Sequence, residues 1–170
     1  DYHAGHFCRE INLAATAIAR SVADEYTLRN PGKPRMVAGS VGPTNKTCSL
    51  SPDVNNPALR NLTFDELASA YEEQMVALLE GGVDMFLIET IFDTLNAKAA
   101  LFAAENAMRT MQRRVPIMLS VTLSDKAGRT LSGQTLEAFL ASVRHADIFS
   151  VGLNCSFGAR DMKPFIERLA

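Results

Sequence analysis

Cysteine is scarce in this chain. Its 170 residues hold three, at positions 8, 48 and 155, an odd number set far apart. That count and spacing argue against a disulfide framework and for a reducing, cytoplasmic setting. Long apolar runs are missing as well: none reaches the roughly 18 residues of a membrane span. The opening Asp1-Tyr2-His3-Ala4-Gly5-His6 lacks the charged-then-apolar order of a signal peptide. No dense basic stretch occurs; Arg113-Arg114 is an isolated pair, and the net charge is −2. Nucleic acid and membrane surfaces are therefore poor partners. No Gly-x-Gly-x-x-Gly follows the first strand candidate, which weakens a dinucleotide site.

What is present reads as one globular domain over residues 1–170. A hydrophobic content of 47% and a charged content of 21% suit a chain of this length with a real core. Four short apolar runs, Met36–Val41, Asp84–Glu89, Pro116–Leu123 and Asp147–Leu153, read as strands covered on both faces. After the first interval they recur at about 32 residues, a spacing suited to βα units. Helical stretches lie between them. Thr63-Phe64-Asp65-Glu66 is a capping box, followed by Leu67, Tyr71, Met75, Leu78 and Leu79 at helical spacing and stopped by Gly81-Gly82. Asp93 or Thr94 caps a helix through Ala97–Met111. Thr135 caps another, with Leu136, Phe139, Leu140 and Val143 on one face, and Ile11 to about Leu28 forms the first. Of the seven methionines, those at 75, 85, 108, 111, 118 and 162 read as core.

Alternation without a hairpin signal predicts a parallel α/β sheet, either barrel or open and doubly wound. Four βα units are half of a (β/α)8 barrel. A long polar loop, Gly42 to Leu62, exceeds the usual βα connection and is expected to be functional or to form an interaction. The chain opens without methionine and closes in Phe165–Ala170 as if in mid-helix, which is the expectation for an excerpt of a longer protein.

Parallel α/β folds keep their chemistry at the C-terminal ends of the strands. Those ends carry Ser40 to Asn45, Glu89-Thr90, Thr122 with Ser124-Asp125, and Asn154-Cys155. Thr90 and Asn45 are open between helix caps and functional groups. Asp125, in Asp125-Lys126-Ala127-Gly128, reads as a turn residue. Glu89 ends an apolar run, where a carboxylate is costly to desolvate without a partner; a substrate ammonium group or a metal would suit it better than a loop salt bridge. Cys155 stands just past the last strand, before helix amides near Gly158 to Arg160, a position for a nucleophile or a ligand. His145 lies one helix back at the opposite end of the unit, so a Cys–His hydrolase has little support and a thiolate ligand is the better reading. One cysteine does not make a zinc site, which needs about three or four protein ligands. Cys48 reads as structural, and the His3, His6 and Cys8 cluster as chance.

Several stretches together resemble a known family. They are Gly42-Pro43-Thr44-Asn45, Ser51-Pro52-Asp53-Val54-Asn55, Glu89 to Lys98, Gly128-Arg129-Thr130-Leu131-Ser132-Gly133-Gln134 and Gly152-Leu153-Asn154-Cys155. This pattern, over essentially the whole chain, is similar to the N-terminal homocysteine-binding module of cobalamin-dependent methionine synthases. Gly-Leu-Asn-Cys alone would point only to the wider homocysteine S-methyltransferase family.

The resemblance implies a (β/α)8 TIM barrel of which strands three to six are present. It implies a zinc ion that holds the homocysteine sulfur, with Cys155 as one of three cysteine ligands. The other two form an adjacent pair, and this chain has no such pair. The family's first-strand Asp-Gly-Ala-Met-Gly-Thr-like loop is absent too. Glu89, with Thr90 and Asn154, is implied to bind homocysteine, Glu89 through the ammonium group. Methylcobalamin and methyltetrahydrofolate are implied to bind other modules of the parent chain, which with the remaining barrel strands would be this chain's partners. The alternatives are a half-barrel without activity, or a homocysteine S-methyltransferase using betaine or S-methylmethionine as donor.

Overall fold

A computed structural model describes residues 3–170; Asp1 and Tyr2, part of the opening segment read above, lie outside the described residues. A short 3-10 helix, Gly5–Phe7, leads into α1 (Cys8–Arg29). The order is then β1 (Ala38–Val41), α2 (Phe64–Gly81), β2 (Met85–Ile91), α3 (Thr94–Thr110), β3 (Ile117–Val121), α4 (Leu136–Val143), β4 (Ser150–Leu153) and α5 (Ala159–Leu169).

The helix starts follow from their caps. Thr63 accepts from the Glu66 N–H while Glu66 reaches back to the Thr63 N–H, a complete capping box. Asp93, not Thr94, caps α3 by accepting from the Leu95 N–H, and Thr135 caps α4 through the Ala138 N–H. Gly82, left-handed at φ 91°, closes α2. The first helix begins at Cys8, three residues ahead of the expected Ile11.

All four strands are parallel, in the order β1-β2-β3-β4. This order decides between the two architectures left open by the sequence. A doubly wound sheet reverses its strand order and so carries helices on both faces. Here every strand joins its sequence neighbour, and right-handed crossovers then place all the helices on one side, as in a barrel wall. Burial agrees: Val41, Phe86, Ile88, Leu119 and Val121 are buried towards the helices, while Ser40, Leu87, Glu89, Met118 and Ser120 alternate with them and stay accessible or half-buried. The expectation of strands covered on both faces is thus corrected. The apolar alternate residues, Leu87 and Met118, belong to the side that becomes the interior of a closed barrel.

Strand boundaries shift for local reasons. Met36 is 65% exposed and precedes β1. β2 runs two residues beyond Glu89, because a bulge between Ile88 and Ile91 lets the strand continue. β3 stops at Val121; past it the Leu123 N–H donates to Ser156 Oγ at 2.8 Å instead of to a strand. β4 begins only at Ser150. In the helical layer α1 packs on α2 and α2 on α3. α1 and α2 approach tightly at Gly81, where a Cβ would stand 2.7 Å from Thr16 Cβ.

Candidate active site at the strand ends

The bulge in β2 puts Glu89 and Thr90 side by side at the C-terminal face of the sheet. Glu89 Oε1 accepts from Ser40 Oγ, on the neighbouring strand, at 2.5 Å. This hydroxyl holds one carboxylate oxygen, and the side chain remains half-buried on the accessible face. Thr90 is left-handed, at φ 57°, and so is Cys155, at φ 52°. For L-residues that conformation costs about 1–2 kcal/mol, and a β-branched residue adopts it rarely. Two such residues at one sheet end are held there by a shared partner.

That partner is Asn154. Its Nδ2 donates to Thr90 Oγ1 at 2.8 Å and to Cys155 Sγ at 3.2 Å. Its Oδ1 accepts from the Thr90 N–H at 3.2 Å and from Ser120 Oγ at 2.8 Å. An amide side chain has two N–H donors and two acceptor directions, so all four are used inside the protein. Thr90 Oγ1, acting as an acceptor here, still has its own O–H to donate. Cys155 is exposed. Just beyond it, Ser156 Oγ donates to the Asn154 carbonyl at 3.0 Å and fixes the turn towards α5.

One wall of the site is the long loop after β1. It is anchored by a buried polar set at the start of α3. Asp93, 1% exposed, accepts from Ser49 N–H at 2.9 Å and Ser49 Oγ at 2.7 Å in addition to its capping bond. Asn96 accepts from the Cys48 N–H at 2.9 Å and donates to the Lys46 carbonyl at 2.9 Å. Between this loop and Glu89 lies a cleft of about 20 Å³, room for one water molecule, bounded by Gly42, Thr44, Tyr71 and Asn96. Burial raises the Tyr71 hydroxyl above its ordinary value, although Thr44 bonds to it.

The remaining sequence candidates lie apart from this face or serve the backbone. Cys48 is buried, and burial, then Asp93 and Glu66, push its thiol up. Cys8 sits in the first turn of α1, its thiol raised by burial and by Glu73 against a bond from Asn12. Asp125 accepts from the Arg129 N–H at 3.0 Å and from the Gly128 N–H at its carbonyl, a turn residue as expected. His145 is exposed in the connection leading to β4, at the far end of the sheet.

Among the described residues no three or more His, Cys, Asp or Glu side chains gather as a metal would require. Cys155 is the single thiol at the strand-end face, so these residues do not by themselves form a zinc site.

Sequence reasoning missed Ser120, Asn96 and the anchoring role of Asp93. Ser120 had a signal: it is the polar residue in an otherwise apolar β3 run, in step with Met118. Asn96 is a polar side chain at the start of an alanine-rich helix, and nothing in the local pattern says that its partners lie 48 and 50 residues back.

The profile of the homocysteine S-methyltransferase family matches residues 1–170, the whole chain. The chain belongs to that family. Among solved structures it is similar to the homocysteine methyltransferase MmuM from Escherichia coli. The apo form shares 19% identity and a TM-score of 0.75, covering 100% of this chain and 59% of that one. A metallated form shares 20% identity and a TM-score of 0.73, covering 95% and 55%. An oxidized form shares 19% and 0.72, covering 95% and 54%. At this identity the likeness carries the fold, a four-stranded part of a TIM barrel, and the chain spans less than three fifths of the length of those proteins. No helix among the described residues is long and apolar enough to cross a membrane.

Proposed function

We propose that residues 1–170 are one partial barrel domain of the homocysteine-binding module of a cobalamin-dependent methionine synthase. The observation that carries this reading is the convergence of Glu89, Thr90, Asn154 and Cys155 on the C-terminal face of a barrel wall in a homocysteine S-methyltransferase chain. The motifs that favour the cobalamin-dependent branch, Phe92 to Lys98 and Thr130 to Gln134, support the choice of methyl donor.

Methylation of homocysteine breaks the bond between the methyl group and its donor, joins the methyl carbon to sulfur and releases the thiol proton. The part of this chain is to hold the amino acid for that event. Glu89, oriented by Ser40, faces the substrate ammonium as a charge-assisted partner. Thr90 offers its O–H to the polar end of the substrate. Asn154 belongs to the same wall, and with its amide fully bonded within the protein it acts by keeping Thr90 and Cys155 in place. Cys155 is one ligand of the zinc, the others coming from outside these 170 residues. Methylcobalamin and methyltetrahydrofolate bind elsewhere in the parent chain. Three unpaired cysteines suit a cytoplasmic enzyme.

The test is made on the full-length protein. Homocysteine binding is measured by calorimetry, zinc content by mass spectrometry, and methyl transfer with methylcobalamin, betaine or S-methylmethionine as donor. Turnover with methylcobalamin, and loss of both zinc and homocysteine in Cys155→Ala, is the expected result. Turnover only with betaine or S-methylmethionine overturns the donor, and unchanged binding in Cys155→Ala overturns the role of that residue.

A further inference from the structure

We infer that Ser120 is a positioning residue of this site, steadying the Asn154 amide in the orientation that the Thr90 N–H sets, with its own N–H groups facing Thr90 and the Cys155 sulfur. The amide could stand either way round, with oxygen and nitrogen exchanged. The Thr90 backbone N–H decides between them. It can only donate, so the atom it meets at 3.2 Å is Oδ1. The Ser120 hydroxyl gives the same oxygen a second donor, at 2.8 Å. With both acceptor directions taken, Nδ2 is left against Thr90 Oγ1 and Cys155 Sγ.

The consequence reaches the backbone. Thr90 and Cys155 are both left-handed, and both bond to this one amide. Such conformations persist where the surroundings over-determine them. β3, between β2 and β4, supplies that constraint. Ser120 pairs in register with Gly152, two residues before Asn154, so the side chains of Ser120 and Asn154 emerge on one face. The hydrogen bonds of this network do not include the Glu89 carboxylate, which Ser40 holds separately. The two halves of the site are therefore separable: Ser40 orients the charge for the ammonium, and Ser120 orients the sulfur.

This inference rests on the reading of Cys155 as a working thiol of the homocysteine site, so its test reads the sulfur directly as well as turnover. The full-length protein is stripped of metal with a chelator, and Ser120→Ala and Ser120→Thr are compared with the parent. Iodoacetamide alkylation of Cys155 is followed by peptide mass spectrometry, with Cys8 and Cys48 as internal references. Ser120→Ala is expected to slow Cys155 alkylation by about threefold or more, because the amide that donates to the attacking sulfur is held less firmly, with both reference rates unchanged. Ser120→Thr, which keeps the hydroxyl, restores the parent rate. In turnover, Ser120→Ala lowers kcat about tenfold while the KM for homocysteine moves less than about threefold. Parent protein that does not methylate homocysteine removes the functional reading and leaves the alkylation result standing. A folded Ser120→Ala with an unchanged or faster Cys155 rate overturns the inference, as does an equal fall at Cys8 and Cys48 or a failure of threonine to restore. Should Ser120→Ala not fold, Asn154→Asp, which keeps the shape and removes the N–H donors, gives the same selective change at Cys155 or overturns it.

Discussion

Ser40 Oγ donates to Glu89 Oε1 at 2.5 Å, tying the ends of β1 and β2 together at the open face of the sheet. If Glu89 binds the homocysteine ammonium, its removal costs a charge-assisted bond of about 1.5–3 kcal/mol, or about ten- to a hundredfold in affinity. Glu89→Ala should show that loss in calorimetry with homocysteine and almost none with a mercapto acid lacking the amino group. Ser40→Ala removes only the orienting hydroxyl, and a loss of about two- to tenfold is expected. Equal weakening for both ligands would remove Glu89 from the ammonium site.

Asp93 does two jobs that substitution can separate. It caps α3 and it accepts both hydrogen-bond donors of Ser49. Asp93→Ala should cost about 2–4 kcal/mol in urea unfolding, about 1 kcal/mol from the cap and the rest from donors left unpaired. Asp93→Asn keeps a good cap, yet its NH2 cannot accept from the Ser49 N–H. The expected result is an unchanged helical circular dichroism signal with faster proteolysis inside the loop from Gly42 to Leu62.

Much of this molecule could be read from local pattern because local physics fixes it. Thr63 with Glu66 and Thr135 before Leu136 announce their helices, since the cap bonds span only three residues. The strand ends mark out the candidate site because parallel sheets keep their chemistry at one edge. Other features depend on residues far apart in the chain. The bulge that carries β2 past Glu89 exists because Thr90 is held left-handed from residue 154. The grip of Asp93 on Ser49 spans 44 residues. The uncovered sheet face was hidden by composition: Leu87 and Met118 make β2 and β3 look buried on both sides, and strand order alone reveals that the helices share one.

Gly81 and Thr16 set the distance between α2 and α1. An added Cβ at Gly81 would lie 2.7 Å from Thr16 Cβ and 2.9 Å from its Cγ2. Alanine in a helix gains about 1 kcal/mol over glycine, but overpacking a tight contact costs about 1–3 kcal/mol. Gly81→Ala should therefore lower stability or leave it no better. The clash is with Cβ itself, so Thr16→Ala should fail to relieve it and Thr16→Gly should. A double-mutant cycle by chemical denaturation reads this directly, as a favourable coupling only in the Thr16→Gly pair.

Asp84 fastens the start of β2 to β1 and α1. Its Oδ2 accepts from the Val37 N–H at 2.6 Å and from Arg20 Nη1 at 2.6 Å. Burial alone would push this carboxyl up, but the Val37 N–H and the Arg20 guanidinium together hold it below the usual aspartate value. In the unfolded chain the group returns to about 3.9. The unfolded state then binds the proton more readily, so the contribution of Asp84 is complete above about pH 4 and fades as pH falls through the lower folded value. For a partly exposed pair that contribution is about 1 kcal/mol. Asp84→Asn should melt a few degrees below the parent at neutral pH. The gap should close as the pH is lowered from about 4 towards 2, since protonated aspartate and asparagine are then alike. A difference in Tm that stays constant across that range would show that the Arg20 and Val37 bonds do not depend on the charge.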